Sequence, residues 1–406
     1  MNEKIRIHKK LWRLLLSIYY RMLHNTKIIE IYKYLIKKLP LQSNKIVMEN
    51  YGGLGYGENP KYIAEELLKK DRRYRIIWLT DDKQSNYAQR VKPVLKDSFR
   101  AYYECATAKV WVFNTRDVKL IEKREGQVFL QTWHGGVALK KVEKDAEDKL
   151  TSRYVAVAKY DGEIADGIIV DGKLNEQIFE SSFWLSPNCE RLKIGQPRVD
   201  ILINEQKNQK IKRNVRNKLG IAEDSFFVLY APTFRRNQSL KGYITDFSGI
   251  KEAFIQRFGK VEIAVRLHPS DSHLMEKYRE NYGSEIANAT AYPDVQELII
   301  AADCIITDYS SIAYDFAIIR KPVLLIMEDV DEYIEARGVY DVFYEQPFMM
   351  NYNEKMLIEE IHSFSYEEMN KRIDAFYEKY PTYNRGNASE RAVEWLIEKG
   401  LRVTRH

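Results

Sequence analysis

Five short segments of this 406-residue sequence place proton-accepting, hydroxyl or cationic side chains directly after an apolar run, where a strand would give way to a loop. Gln131-Thr132-Trp133-His134-Gly135-Gly136 offers an imidazole able to accept a proton. Gly135 and Gly136 then allow the backbone to come close to a ligand. In Val265-Arg266-Leu267-His268-Pro269, alternation puts Arg266 and His268 on one face of an extended segment. A cation and an imidazole pointing together suit a phosphate-bearing ligand. Tyr230-Ala231-Pro232-Thr233-Phe234-Arg235-Arg236 brings Thr233 and Arg235, a hydroxyl and a guanidinium that can meet phosphate oxygens. In Thr307-Asp308-Tyr309-Ser310-Ser311-Ile312 a strand stops, Asp308 or Ser310 can cap, and a helix opens near Ser311. Its free amides, the hydroxyls of Ser310 and Ser311 and the positive end of the helix dipole would form an anion site. The fifth segment, Tyr51-Gly52-Gly53-Leu54-Gly55-Tyr56-Gly57, is glycine-rich but matches neither G-x-G-x-x-G nor a P-loop. Each has an ordinary reading beside the chemical one: a loop histidine bonded to backbone, solvated arginines, a plain helix cap.

The elements that must position these segments alternate strand and helix. Lys45–Met48, Arg75–Leu79, Val110–Phe113 and Val128–Leu130 read as strands, with a helix opening at Asn59-Pro60 and running through Ile63, Leu67 and Leu68. The pattern restarts at Phe226–Tyr230 and continues through Val261–Val265, Cys304–Thr307 and Val323–Ile326. Such alternation implies parallel sheets covered by helices, here two Rossmann-like domains facing a cleft. Ligands of open α/β sheets sit beyond the carboxyl ends of the strands, where the five segments lie. The charged stretch 207–218 reads as a helical connection between the halves.

The net charge of +6 is concentrated at the N-terminus: residues 1–40 hold ten Lys/Arg against Glu3 and Glu30, so the remainder carries −2. A generally basic nucleic-acid binder is disfavoured, and no nucleic-acid partner is expected. The apolar run Leu14–Tyr20 is too short to span a bilayer, and no small-residue cleavage site follows it. Leu11, Leu14, Leu15, Ile18 and Met22 form one helical stripe, and Ile28, Ile31, Tyr32, Leu35 and Leu39 a second. With Lys and Arg filling the other faces, residues 1–40 read as an amphipathic arm lying on an anionic membrane surface. The alternative is a helical hairpin packed on the protein's own body. Cys105, Cys189 and Cys304 are far apart, which argues against a zinc site or disulfide framework and fits a reducing compartment. No metal and no cofactor is expected.

Together, Trp133-His134-Gly135, Gly195-Gln196-Pro197-Arg198-Val199-Asp200, Tyr230–Arg235, Arg266–Pro269, Thr307–Ser311 and Arg337-Gly338 resemble the CDP-glycerol glycerophosphotransferase family, which includes teichoic-acid primases and polymerases. The resemblance runs over about residues 45–395, with the segments in order. It implies a GT-B-like fold and transfer of a polyol phosphate from a CDP-polyol to a polyprenyl-linked saccharide or polymer, at the cytoplasmic face of the membrane. Two departures stand out: Phe234 replaces the family's tryptophan, and Asn384-Arg385-Gly386-Asn387 stands where an acidic residue is usual.

Carried over residue by residue, His134 resembles the base that takes the acceptor's proton, with Gly135 and Gly136 on the acceptor side. His268 resembles the group supporting the donor pyrophosphate, beside Arg266. Ser310, Ser311, Arg337, Thr233 and Arg235 would hold donor phosphates. Asp315, one turn beyond Ser311, would orient nucleotide or polyol hydroxyls, or serve as a salt-bridge carboxylate. The expected layout is an arm over 1–40, an acceptor domain over 41–205, a CDP-donor domain over 206–385, and a helix and tail over 386–406. CDP-glycerol is the expected donor. CDP-ribitol, a nucleotide-sugar glycosyltransferase of the same fold and a catalytically silent membrane adaptor are the alternatives.

Overall fold

The computed structural model describes residues 26–403 apart from 84–85, 117–120, 235–241, 245, 268 and 283–284. Its first sheet comprises β1 (Gln42–Glu49), β2 (Arg75–Thr80), β3 (Val91–Leu95), β4 (Ala108–Phe113), β5 (Val128–Gln131), β6 (Gly167–Val170) and β7 (Glu190–Lys193). These are ordered β3-β2-β1-β4-β5-β6-β7. The second comprises β8 (Phe226–Tyr230), β9 (Val261–Val265), β10 (Ile286–Asn288), β11 (Cys304–Thr307), β12 (Val323–Ile326) and β13 (Met350–Asn351). Its order is β10-β9-β8-β11-β12-β13. Every strand pair is parallel. A parallel sheet covered on both faces explains why strands such as Phe226–Tyr230 read as unbroken apolar runs.

The chain reverses its winding direction between β1 and β4 in the first sheet and between β8 and β11 in the second. Neighbouring strands there send their crossovers to opposite sides, so their carboxyl ends leave a crevice. Tyr51 and Asn114 follow β1 and β4, and Thr233 and Asp308 follow β8 and β11. Apart from β3, β6, β7, β10 and the two-residue β13, the strands match those read from the sequence. Of the five unread ones, β3, β7, β10 and β13 form the sheet edges, and β10 and β13 are only three and two residues long. The stretch 207–218 forms the helix Gln209–Leu219, with Asn208 accepting from the amides of Lys210 and Ile211 at its start and left-handed Gly220 at its end.

The last helix does not form a separate appendage. Ala388–Glu398 returns to the first sheet, burying Ala392, Val393 and Leu396 among Ile46, Ile63, Val110 and Leu130. Its Trp395 donates from Nε1 to Glu190 at 2.8 Å and packs against Gly167, where a Cβ would come within 2.7 Å of the indole. The first domain is thus built from both ends of the chain.

The arm is described from Thr26 onward, so the stripe Leu11, Leu14, Leu15, Ile18 and Met22 lies outside the described residues. The helix Thr26–Ile36 splits the second stripe rather than presenting it whole. Tyr32 packs edge-on against Phe99 and donates to its carbonyl at 3.0 Å, while Ile36 is 5% exposed. Ile31, Tyr34, Leu35 and Leu39 face outward, with Ile31 61% exposed. An apolar face therefore remains after the helix has docked on the body. Among the described residues no helix is long and apolar enough to cross a membrane.

The close approach of Trp395 to Gly167 gives a stability test. Gly167→Ala should lower the unfolding free energy by about 1–3 kcal/mol, the usual cost of overpacking, measured by urea denaturation. An unchanged midpoint would show that the final helix is not seated on β6.

Candidate active site

The turn after β5 carries a closely held imidazole, that of His134. Trp133 takes a left-handed φ of 54°, which a non-glycine residue adopts only when its surroundings hold it there. Those surroundings are specific: Gln131 Oε1 accepts from the Trp133 amide at 3.0 Å, and Asn59 Nδ2 donates to the Trp133 carbonyl at 3.1 Å. The bend delivers His134 with its Nδ1 2.7 Å from the carbonyl oxygen of Asn114. A carbonyl can only accept, so Nδ1 carries the hydrogen and the neutral ring keeps its lone pair on Nε2. Trp133 and Tyr51 flank the ring with centroids at 4.3 and 5.2 Å. Burial lowers the His134 pKa to about 4, against the opposing pull of the Asn114 carbonyl. The imidazole is therefore an unprotonated base at neutral pH.

Asn114 ties the next loop into the same arrangement. Its side chain accepts from the Tyr51 amide at 2.8 Å and donates to Asn50 at 2.8 Å. Behind Trp133, Arg116 lies over the indole at 5.4 Å, paired with Asp161 at 2.8 Å and facing Glu143 at 3.4 Å.

Arg198 joins the domains. Its guanidinium, 4% exposed, forks onto both carboxylate oxygens of Asp315 in the helix Ile312–Ile318 of the second domain. Its amide donates to Asn59 Oδ1 at 3.1 Å, and its Nε lies 3.2 Å from Glu58 Oε2. Asp315 thus takes the ion-pair role that the sequence left open beside substrate contact. Gly136 meets the same helix start, its amide 3.4 Å from Ser311 Oγ, while its carbonyl accepts from Asn175 at 2.6 Å. Gly135 offers its carbonyl to Gln196 at 3.0 Å. Gly135 and the Gly136 carbonyl thus tie the turn into its own domain, and the Gly136 amide reaches the other.

On the second domain, Asp308 does not cap the helix. Its carboxylate spans the crevice between β11 and β8, accepting from the Thr233 amide at 2.9 Å and the Thr233 hydroxyl at 2.6 Å. Ser310 Oγ accepts from the Ile312 amide at 3.4 Å, and Ser311 occupies the cap position without a side-chain cap bond. Arg266 donates to the carbonyls of Ala289 and Tyr292 at 2.9 and 2.7 Å, which fixes its direction at the end of β9. Arg337 ends the helix Val330–Arg337, just before a crossing to the first domain. There the Lys141 amide donates to Gly338 at 3.1 Å and Tyr340 donates to Leu139 at 2.9 Å. His268 and Arg235 lie outside the described residues.

The structure thus brings His134, Gly136, Ser311 and Asp315 to one cleft, with Arg266 on its second-domain side. Sequence reasoning gave no role to Glu58, Asn59, Asn114 or Arg198. Arg198 lay in a quoted segment, and Asn59 was read only as a helix start. The Asn384 departure has a structural use: its Oδ1 accepts from the Gln196 amide at 2.7 Å. Asp171, whose pKa burial raises to about 6, shares Asn175 with Gly136. Among the described residues no three His, Cys, Asp or Glu side chains converge as a metal site.

Residues 31–398 match the CDP-Glycerol:Poly(glycerophosphate) glycerophosphotransferase family. The chain is 31% identical over 375 residues to the teichoic acid poly(glycerol phosphate) polymerase of Staphylococcus epidermidis, covering 88% of this chain but 51% of that protein. It is 28% identical to the polymerase of the same name from Bacillus spizizenii, covering 89% of this chain and 94% of that one. The solved wall teichoic acid polymerase TagF superposes with a TM-score of 0.82 at 26% identity, over 98% of each chain. The chain belongs to this glycerophosphotransferase family and is an enzyme with its two-sheet α/β fold.

The environment of His134 predicts its titration. The unfolded chain takes up the proton near the ordinary histidine value, the folded chain only near pH 4. The resulting stability is present above about pH 6.5 and is lost as pH falls from there towards 4. NMR titration of the imidazole should show a neutral Nδ1–H tautomer throughout pH 5–8; a midpoint near 6.5 would exclude the buried, carbonyl-bound arrangement.

Proposed function

We propose that this family member transfers sn-glycerol phosphate from CDP-glycerol to a polyprenyl-linked acceptor and releases CMP, in the synthesis of a teichoic-acid-like or capsular polymer. The observation that carries the reading is His134: a neutral imidazole with Nε2 unprotonated, at the carboxyl ends of a parallel sheet, facing a second sheet across a cleft. The acceptor hydroxyl attacks the phosphorus bearing glycerol, its proton passes to His134 Nε2, and the bond to the CMP oxygen breaks. An approaching phosphate stabilises the imidazolium, so a base of low resting pKa gains strength as the substrate docks. Arg266, His268, Arg235, Ser310, Ser311 and Arg337 serve the donor, their hydroxyls and cations answering the charge of its pyrophosphate. Thr233 does not make the phosphate contact expected of it, because its hydroxyl and amide hydrogens are both given to Asp308. Phosphoryl transfer asks for positioning and charge stabilisation more than covalent chemistry, which such an outfit can supply. Glycerol is favoured over ribitol by the family's description and by the two polymerases above, both named for glycerol phosphate.

The test is a donor screen with a lipid-linked acceptor analogue, comparing CDP-glycerol, CDP-ribitol and UDP-sugars. CMP release from CDP-glycerol is expected; CMP from CDP-ribitol alone would move the assignment to ribitol. UDP release from UDP-sugars would make the chain a glycosyltransferase. His134→Ala should lower turnover roughly 10²–10⁴-fold while calorimetry still detects CDP-glycerol binding. Near-normal turnover would remove the base assignment.

The arm places this chemistry at the cytoplasmic face of an anionic membrane, as a peripheral contact. Its support is the outward face of Ile31, Tyr34, Leu35 and Leu39, with Lys27 and Lys38 beside it. Burying one such apolar side chain contributes about 1.5–3 kcal/mol, and a basic residue near the surface about 1 kcal/mol. Ile31→Ser/Leu35→Ser, at two exposed positions, should cut co-sedimentation with phosphatidylglycerol vesicles at least tenfold while the melting temperature holds. Undiminished co-sedimentation would place membrane contact elsewhere.

A further inference from the structure

Glu58 opens the helix Glu58–Lys70 beside Arg198, and its geometry exceeds what helix initiation requires. Its φ of 55° is left-handed, a conformation that glycine enters freely and glutamate does not. Its side chain is 12% exposed, with Oε2 3.2 Å from Arg198 Nε. The two atoms are misaligned, however, and neither makes a hydrogen bond. Arg198 already commits both terminal nitrogens to Asp315. Oε2 is sealed from solvent beside Arg198, whereas Oε1 is not among the buried atoms. Glu58 is thus a largely buried carboxylate that presents one oxygen, Oε1, to the cleft, held in an unfavourable backbone conformation beside the neighbours of His134. Tyr51, whose ring touches that of His134, is 37% exposed on the adjoining loop, and Leu54 is 50% exposed.

A carboxylate so placed is complementary to a hydroxyl and hostile to a phosphate. Arg266 would favour any anion entering the cleft, so discrimination between a free polyol end and a phosphate-capped end calls for a negative group on the acceptor side. Resting on the polyol-phosphate reading above, the geometry points to Glu58 as a specificity-determining residue: its carboxylate accepts a hydrogen bond from a hydroxyl of the acceptor's polyol terminus and rejects a terminus that ends in phosphate.

The groups bearing on Glu58 are Arg198 after β7, Arg266 after β9, Asp294 ahead of the helix Val295–Ala301, Asp315 in the helix Ile312–Ile318, and Tyr51 after β1. Burial raises its pKa to about 7, with Arg198 opposing. The carboxylate form is therefore lost as pH falls through that value, and hydroxyl binding should weaken in the same window.

The test uses the full chain, CDP-glycerol, an acceptor analogue ending in a free glycerol hydroxyl, and the same analogue capped by phosphate as a competitor. In Glu58→Gln the acceptor KM should rise roughly 10- to 100-fold, by more than kcat falls, as for a lost hydrogen bond to a charged group. Affinity for CDP-glycerol, read by calorimetry, should stay within about twofold. The capped analogue should inhibit more strongly, and the rise in acceptor KM below about pH 7 should vanish. Glu58→Gly, free of the backbone strain, should melt no lower than Glu58→Gln and show the same kinetic loss, which separates the effect from misfolding. An unchanged acceptor KM, or a loss of donor affinity as large as the rise in KM, would overturn the assignment. Failure of the unmodified enzyme to release CMP from CDP-glycerol would instead overturn the polyol-phosphate reading, and the role of Glu58 with it.

Discussion

A guanidinium cannot shed its charge, so the burial of Arg198 between two domains dictates what must surround it. The fork onto Asp315 meets that demand with aligned, charge-assisted bonds from the opposite domain. Removing one partner of such a pair strands the other charge in a low-dielectric site, a cost of about 3–5 kcal/mol. The pairing therefore fixes the separation of the two sheets at the floor of the cleft. Gly136 meets Ser311 beside it, and Lys61 and Tyr62 meet Asp294 across the same boundary. The Arg198 amide on Asn59, and Asn59 on the Trp133 carbonyl, carry the same constraint back to the turn that bears His134.

The chemistry of the cleft follows from how its polar groups are shared. Backbone and amide side chains hold His134 in one tautomer without a carboxylate partner, which leaves it a weak resting base at neutral pH. In the proposed transfer the substrate phosphate would supply the field that strengthens such a base. On the facing domain the hydroxyl of Thr233 is oriented by Asp308, and Arg266 is aimed by two carbonyls. Both are held in place by the protein's own groups.

The rest of the chain supports this arrangement from outside. The final helix returns to the first sheet and seats Trp395 over Gly167, so the second domain is spliced between two parts of the first. Two strands of chain then cross the cleft, and the antiparallel bridge of Lys140 with Val339 adds a third tie at its side. On the opposite flank, the helix Thr26–Ile36 gives one face to Phe99 and keeps an apolar face outward. An amphipathic pattern thus served two partners, the protein body and the exterior, which a single stripe in the sequence did not distinguish.

What the sequence determined alone is the local grammar. Runs such as Phe226–Tyr230 and Cys304–Thr307 are long enough, and bounded clearly enough, for apolar patterning to place them. The two-residue β13 and the three-residue β10 are too short to carry a period and depend on a neighbouring strand. Motif residues at strand ends were equally legible, because a strand's carboxyl end is a chain-local property. Their partners were not. Arg198 and Asp315 are 117 positions apart, Gly136 and Ser311 are 175 apart, and Asp308 chose Thr233 rather than the adjoining helix. Sheet order brings such residues together, and sheet order is set by packing over the whole chain, not by any window of it. The left-handed turn at Trp133 belongs partly to the same class: its sequence disfavours it, and the long-range bond from Asn59 joins the local one to Gln131 in holding it.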